Sequence, residues 1–328
     1  MKHEDGDVMN AKVALVREKN TQQNLRTGHF MKKIRPYMPF YILFLPGFLF
    51  YILFAYLPMA GIVIAFKDYN LMEGVFGSAW VGFDHFVRFF QNGDFWRVFE
   101  NTLVISMLRT LFGFPTPIIF ALMLNELNLK WYKKFIQTVS YMPHFISWVV
   151  VSGILYSFFS STGIVNQIIH TAGGHEELFL ANEKYFRPFL VGTAMWKESG
   201  WSAIIYLAAL AGVDKEVYEA AMIDGAGRWR KLWNVTLPSI RNVISIMFVL
   251  SLGNVLTAGF DQVLVMINPA VASVGETIDY YVYRTGLQQV NNYSYATAVG
   301  LFKSVIALCL VLITNWGAKK IDEEGGLW

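Results

Sequence analysis

The sequence predicts an all-α integral membrane protein with six transmembrane helices. Three observations predict it: a composition 55% hydrophobic and only 16% charged over 328 residues, six apolar stretches of spanning length, and cations gathered into alternate connections. Charge this sparse excludes an ordinary soluble domain of the same length. A bilayer core about 30 Å thick needs roughly 20 apolar residues in a helix, and the stretches at 40–66, 99–126, 135–159, 187–211, 240–266 and 294–317 meet that length. None alternates in the manner of a lipid-facing barrel strand, and only helices or closed barrels satisfy their backbone hydrogen bonds in lipid.

Taken in order, residues 1–35 form a polar, basic tail without the short apolar core and small-residue cleavage site of a removable signal, so the first span is expected to serve as an uncleaved insertion signal. The six-helix region covers 36–321, interrupted by a polar interval at 212–238, and 322–328 form a second tail. Pro46 and Pro58 in the first span, Pro115 and Pro117 in the second and Pro143 in the third predict bent helices, because neighbouring helices, hydroxyl side chains or waters can take up the backbone groups each proline frees. Cys309, the single cysteine, lies within the sixth span with no disulfide partner and no metal-ligand spacing, and is read as a packing residue.

Orientation follows from Lys and Arg. Of the 27, eight lie in the leading tail, three in the connection after the second span (Lys130, Lys133, Lys134), five in that after the fourth (Lys215, Arg228, Arg230, Lys231, Arg241) and two at the end (Lys319, Lys320). The opposite side holds only Lys67, Arg88, Arg97, Lys184, Arg187 and Arg284. Both termini and the 212–238 interval are therefore expected in the cytoplasm. A net charge of +3 gives no basis for a nucleic-acid partner.

That interval carries the most specific chemistry of the chain: Glu219-Ala220-Ala221, three residues to Gly225, nine more to Val235-Thr236-Leu237-Pro238. Asp214 is a good N-cap for a short helix that Gly225 would end, and Val217, Tyr218, Met222 and two small alanines would make it a knob for a partner's groove. Arg228-Trp229-Arg230-Lys231-Leu232-Trp233 fits a helix at the lipid headgroups. Leu237-Pro238 then turns the chain into the fifth span. Glu and Ala are strong helix formers, so Glu219-Ala220-Ala221 alone would mean only an exposed helix; it is the spacing to Gly225, Leu237 and Pro238 and the cytoplasmic placement that make it more.

In these residues the chain resembles the inner-membrane permeases of binding-protein-dependent ABC importers, whose cytoplasmic EAA loop has the pattern E-A-A, three residues, G, nine residues, I-x-L-P. Val235 replaces the usual Ile, and Asn242 stands where many members have a second Pro. Tyr141 to Trp148, Phe260-Asp261-Gln262 and Asp279 to Arg284 resemble the carbohydrate branch, and within it the permeases for polysaccharide-derived oligosaccharides. The resemblance implies a type I importer fold in which Glu219, Ala220, Ala221, Asp224, Gly225, Leu237 and Pro238 couple to a cytoplasmic ATPase. It also implies a second permease subunit, usually a different chain, an extracytoplasmic solute-binding protein and an oligosaccharide cargo. No G-x-x-x-x-G-K-[ST] occurs, so ATP and Mg²⁺ are expected in the partner ATPase and no cofactor, metal or catalytic residue in this chain.

Polar residues at membrane depth are costly and face a bundle interior or a wet cavity. Arg109, His144, Lys197, Glu198, Asn254, Asp261 and Lys303 are such residues, and Tyr141, Trp148, Trp196 and Trp201 could stack on sugar rings. His144 and Asn254 serve equally well as interhelical glue. Lys197 and Glu198 are sequence neighbours about 100° apart on a helix, so partners on other spans are expected, and Asp261 with Lys303 could form a structural pair or gate. In-span cations would suit a uronate-containing sugar, although neutral-sugar permeases carry buried cations too. The aromatic connections at 67–98 and 267–293 either dock the binding protein or pack on the outer surface. Two other readings remain: a self-sufficient channel or secondary carrier for a small polar solute, and an intramembrane enzyme using His144 with Glu198 or Asp261, which no H-E-x-x-H or G-x-S-x-G supports.

Overall fold

Helices dominate because the apolar stretches must close their own backbone hydrogen bonds. The computed structural model describes residues 35–253, 255–257, 259–289 and 292–321; the two expected tails, apart from residue 35, and Asn254 lie outside them. The chain divides into two units, Met1–Ile62 and Val63–Trp328. In the first, helix α1 (Met38–Phe66, running on past the unit boundary) carries Pro46 and a π-helical turn at Ile52–Tyr56. Residues 36–60 are all exposed, a surface of Phe, Leu and Tyr that water does not favour and lipid does.

The second unit begins with a two-stranded antiparallel ribbon, β1 (Lys67–Asp68) and β2 (Ala79–Trp80), in which Lys67 faces Trp80. It is followed by the amphipathic helix α2 (Asp84–Gln91) and by α3 (Gly93–Asn125), whose N-cap Asn92 accepts the Asp94 amide. Next come α4 (Lys130–Tyr141), α5 (Trp148–Phe159), α6 (Ile164–Thr171), and α7 (Glu183–Ala211). The interval after α7 holds α8 (Lys215–Ile223) and α9 (Arg228–Ser239). Then α10 (Arg241–Gly253), α11 (Phe260–Met266), α12 (Ile278–Tyr283) and α13 (Tyr293–Ile321) complete the described chain.

Three buried clusters succeed one another along α3. Phe89, Phe95 and Val98 meet Ile278, Tyr281, Tyr295 and Val299; Ile105 meets Phe186, Leu190, Val263 and Met266; Ile118 and Ala121 meet Ala203, Tyr206, Leu210 and Ile240. Residue numbers rise together in α3 and α7, so these helices run parallel, whereas the chain from Ile240 to Met266 climbs the other way. That alternation is what successive crossings require.

Length and apolar composition mark four helices able to cross a membrane, five if a bent pair counts as one, among the described residues, rather than the expected six. The discrepancy has physical causes. α7 carries Lys197 and Glu198 at mid-length. The expected third span at 135–159 is not continuous: Pro143 ends α4, Met142–Phe145 form a 3₁₀ turn, and α5 starts afresh with Ser147 as N-cap. The fifth is bent by 63° between α9 and α10, just after Pro238, and interrupted again before α11, whose N-cap Gly259 has φ +72°. Cys309, expected as a packing residue, is exposed.

Candidate functional site

The polar interval folds as its residues dictate. The Asp214 carboxylate accepts the Glu216 amide at 3.0 Å, opening α8, and the Ala226 amide donates to the Ala221 carbonyl at 2.9 Å while that of Gly225 donates to Met222 at 3.0 Å. With Gly225 at φ +73° this is a Schellman closure, which a left-handed glycine permits without strain. No α8 residue is buried. Val217 and Met222 stand about half exposed and Ile223 is 86% exposed, so apolar groups meet solvent where a partner can cover them. The Tyr218 hydroxyl donates to Thr236 Oγ1 at 3.1 Å, and Thr236, buried, donates on to the Lys231 carbonyl. The knob is thereby bonded to the foot of the bent fifth span, near Leu237 and Pro238. Trp229 and Trp233 are exposed beside Arg228 and Arg230.

Between α3, α7 and α10 lies a cavity of about 290 Å³, whose lining includes Ser106, Arg109, Glu198, Ser202, Tyr206 and Thr257. Arg109 is held in its wall: a guanidinium N–H bonds Gln262 Oε1, and Gln262, fully buried, donates to the Leu190 carbonyl at 3.0 Å and to Thr193 Oγ1 at 2.6 Å. The guanidinium lies flat against Gly259, where any Cβ would collide with it. Its Nε is buried without a partner, and among the described residues Arg109 forms no ion pair. A desolvated polar group without a partner is costly, so the wall is strained at Nε, while Arg109 brings a positive charge to the cavity lining.

Glu198 enters the cavity from α7 and is tied from behind. His144 Nδ1 lies 2.7 Å from its Oε2, and Lys197 Nζ lies 3.3 Å from its Oε1. Lys197 also donates to the His144 carbonyl at 2.7 Å and sits 5.5 Å above the Trp148 ring. Trp201 stacks on the His144 ring at 4.7 Å, nearly coplanar. The last turn of α4, just before the break, and α7 come this close because Gly200 presents no Cβ, which would strike the Ser140 carbonyl. So Lys197 and Glu198 do pair with each other, contrary to the sequence expectation, and they share a partner on the preceding span.

The other expected path residues go elsewhere. Tyr141 lies outside the cavity lining and Trp196 is 52% exposed away from it. Lys303 pairs with Asp279, not with Asp261, which is exposed. Burial pushes the Asp279 carboxyl above the usual carboxylate range, and the Lys303 ammonium draws it partly back. The outer connections divide: Phe89 and Phe95 are core, while Trp80, Phe83 and Trp96 stand exposed. The sequence reading overlooked Glu276, a buried carboxylate gripped by Arg97 at 3.0 Å and Arg284 at 2.7 Å. Its companions Asn101 and Arg187 were passed over as well: Arg187 bonds Asn101 Oδ1 at 2.7 Å and the Val274 carbonyl at 3.1 Å.

A polytopic helical bundle with an interior polar cavity and an exposed capped helix at one end defines a membrane transport subunit. The chain belongs to the family of binding-protein-dependent transport system inner membrane components, whose model matches residues 113–323. It is 49% identical over 286 residues to protein LplB of Bacillus subtilis (strain 168), covering 87% of this chain and 90% of the relative. It is 46% identical to the polygalacturonan/rhamnogalacturonan transport system permease protein YteP of the same organism, covering 87% and 89%. Among solved structures, a chain of a bacterial ABC transporter involved in the import of the acidic polysaccharide alginate superposes with a TM-score of 0.83 at 40% identity over 90% of this chain and 99% of that one.

Proposed function

We propose that this chain is one of two membrane subunits of an ATP-driven importer that carries a uronate-containing oligosaccharide across the cytoplasmic membrane, with both termini and the 212–238 loop in the cytoplasm. The observation that carries this reading is α8: a fully capped, uncovered helix bonded through Tyr218 and Thr236 to the base of the fifth span. Glu219, Ala220 and Ala221 on that helix meet a cleft of the partner ATPase, which binds ATP and Mg²⁺, and Asp224 and Gly225 close it so that it moves as a rigid lever. Closure of the ATPase dimer then reaches the cavity through Leu237 and Pro238. The acidic cargo is supported by Arg109, a cation of the cavity lining that forms no ion pair among the described residues, and by relatives named for polygalacturonan and alginate. An extracytoplasmic binding protein delivers it, a reading supported by the similarity to a bacterial alginate ABC transporter solved in complex with an alginate pentasaccharide-bound periplasmic protein.

The test is Glu219→Lys with Gly225→Pro, which reverses a charge on the knob and forbids the left-handed closure. Expected are loss of ATPase co-purification and of oligosaccharide uptake into proteoliposomes that contain the companion subunits. Full binding and uptake by the variant, or uptake by this chain alone without ATP, would overturn the proposal.

A further inference from the structure

We infer that Glu198 is a substrate-binding carboxylate of the cavity and that His144 and Lys197 are positioning residues that hold it there. The inference rests on the oligosaccharide reading above and assigns it a residue-level site. An ionised carboxylate is acceptor-only, with about four lone-pair sites. In Glu198 one is used on each oxygen, by His144 Nδ1 at 2.7 Å and by Lys197 Nζ at 3.3 Å. The remaining sites belong to a side chain 43% exposed in the cavity wall. Sugar hydroxyls are donors of the kind those sites take.

The two groups behind Glu198 are themselves over-determined. Lys197 is 5% exposed, bonded to the His144 carbonyl and seated over Trp148, and the His144 ring is fixed against Trp201. A flexible glutamate would lose rotamer entropy on meeting a ligand; one clamped at both oxygens has lost it already. The ammonium also offsets part of the carboxylate's charge, and Arg109 in the same lining adds a cation for an anionic group while Glu198 takes neutral hydroxyls. The two lining charges thus have separate tasks, and the arrangement explains why a carboxylate is tolerated in a path for an acidic sugar.

The complete importer, trapped with ATP, Mg²⁺ and vanadate, is titrated with tritiated trigalacturonate, and retained sugar is read against retained nucleotide. Glu198→Gln is expected to weaken sugar retention on the order of tenfold. His144→Asn, whose amide nitrogen can replace Nδ1, should stay within about twofold, whereas His144→Gln, which places its amide near the Nε2 position, should weaken retention about fivefold. The double variant Glu198→Gln/His144→Gln should be no weaker than Glu198→Gln alone, since His144 acts through Glu198. Wild-type retention by Glu198→Gln, equal damage from both His144 variants, or additive losses each overturn the inference. Nucleotide trapping reports assembly, and Glu198→Gln is isosteric, so its retention of sugar decides the matter even if a His144 variant fails to assemble. A wild-type complex that traps nucleotide but never this sugar would instead sink the proposed cargo.

Discussion

Glu276 shows how much a single buried residue organises. Its side chain is 4% exposed and receives Arg97 on one oxygen and Arg284 on the other, while Arg97 also reaches the Ala272 carbonyl at 2.9 Å and Asn101 the Ser273 carbonyl at 2.8 Å. The segment between α11 and α12 holds only a 3₁₀ turn (Pro269–Val271) and a single helical turn (Ala272–Gly275), too short to satisfy their own carbonyls, so side chains of α3 and α7 do it instead. Glu276→Gln keeps the shape and removes the charge. Because each arginine is a third exposed, solvent screens part of the loss, and a destabilisation of about 2 kcal/mol is expected. A chemical denaturation series in detergent, followed by tryptophan fluorescence, measures it. An unchanged midpoint would mean that water already shares this network.

At the scale of elements, the bond from Tyr218 to Thr236 makes one lever of α8 and the foot of the fifth span. Tyr218→Phe retains the ring and its apolar contacts but breaks that bond, worth about 1 kcal/mol. The expected outcome is normal ATPase binding with less sugar moved per ATP hydrolysed; an unchanged ratio would show that α8 transmits force through backbone alone. α8 was legible in the sequence because its signals are local: an Asp cap, a helical run and a glycine at the needed φ lie within a dozen residues, and each has one physical meaning. The break in the expected third span was half legible. Pro143 announced a bend, but hydropathy continues through it, and only the bonds from His144 to Lys197 and Glu198 show that the break is where α7 packs. Gln262 and Glu276 carried no such signal. Their partners stand 153 and 179 residues away in sequence (Arg109 and Arg97), and neither pairing has a period or spacing to betray it. For Lys197 and Glu198 the helical angle led to a partner on another span, His144, and what it missed was their direct contact, because long side chains can converge on a third group that a helical wheel does not contain.

For the whole molecule, the charge asymmetry and the packing order make independent statements about the same topology. Lysine and arginine counts place the 67–98 connection opposite the 212–238 loop. The three clusters place Phe89 and Tyr281 at one end of α3 and Leu210 with Ile240 at the other, with α3 and α7 parallel between them. Packing alone separates the two ends without saying which meets the cytoplasm; charge alone assigns sides without showing that the chain alternates. Together they predict that Phe76, 98% exposed after β1, and Ile223, 86% exposed at the end of α8, lie on opposite faces of the membrane. Cys309 is exposed and must first be removed, and Cys309→Ser supplies the background for Phe76→Cys and Ile223→Cys. A membrane-impermeant maleimide added to intact cells from which the outer barrier has been stripped should label the cysteine at 76 and spare that at 223, with the pattern reversed in inside-out vesicles. Labelling of both from one side would break the alternation, and a fully exchanged pattern would put α8 beyond the reach of any cytoplasmic ATPase and overturn its proposed role in coupling.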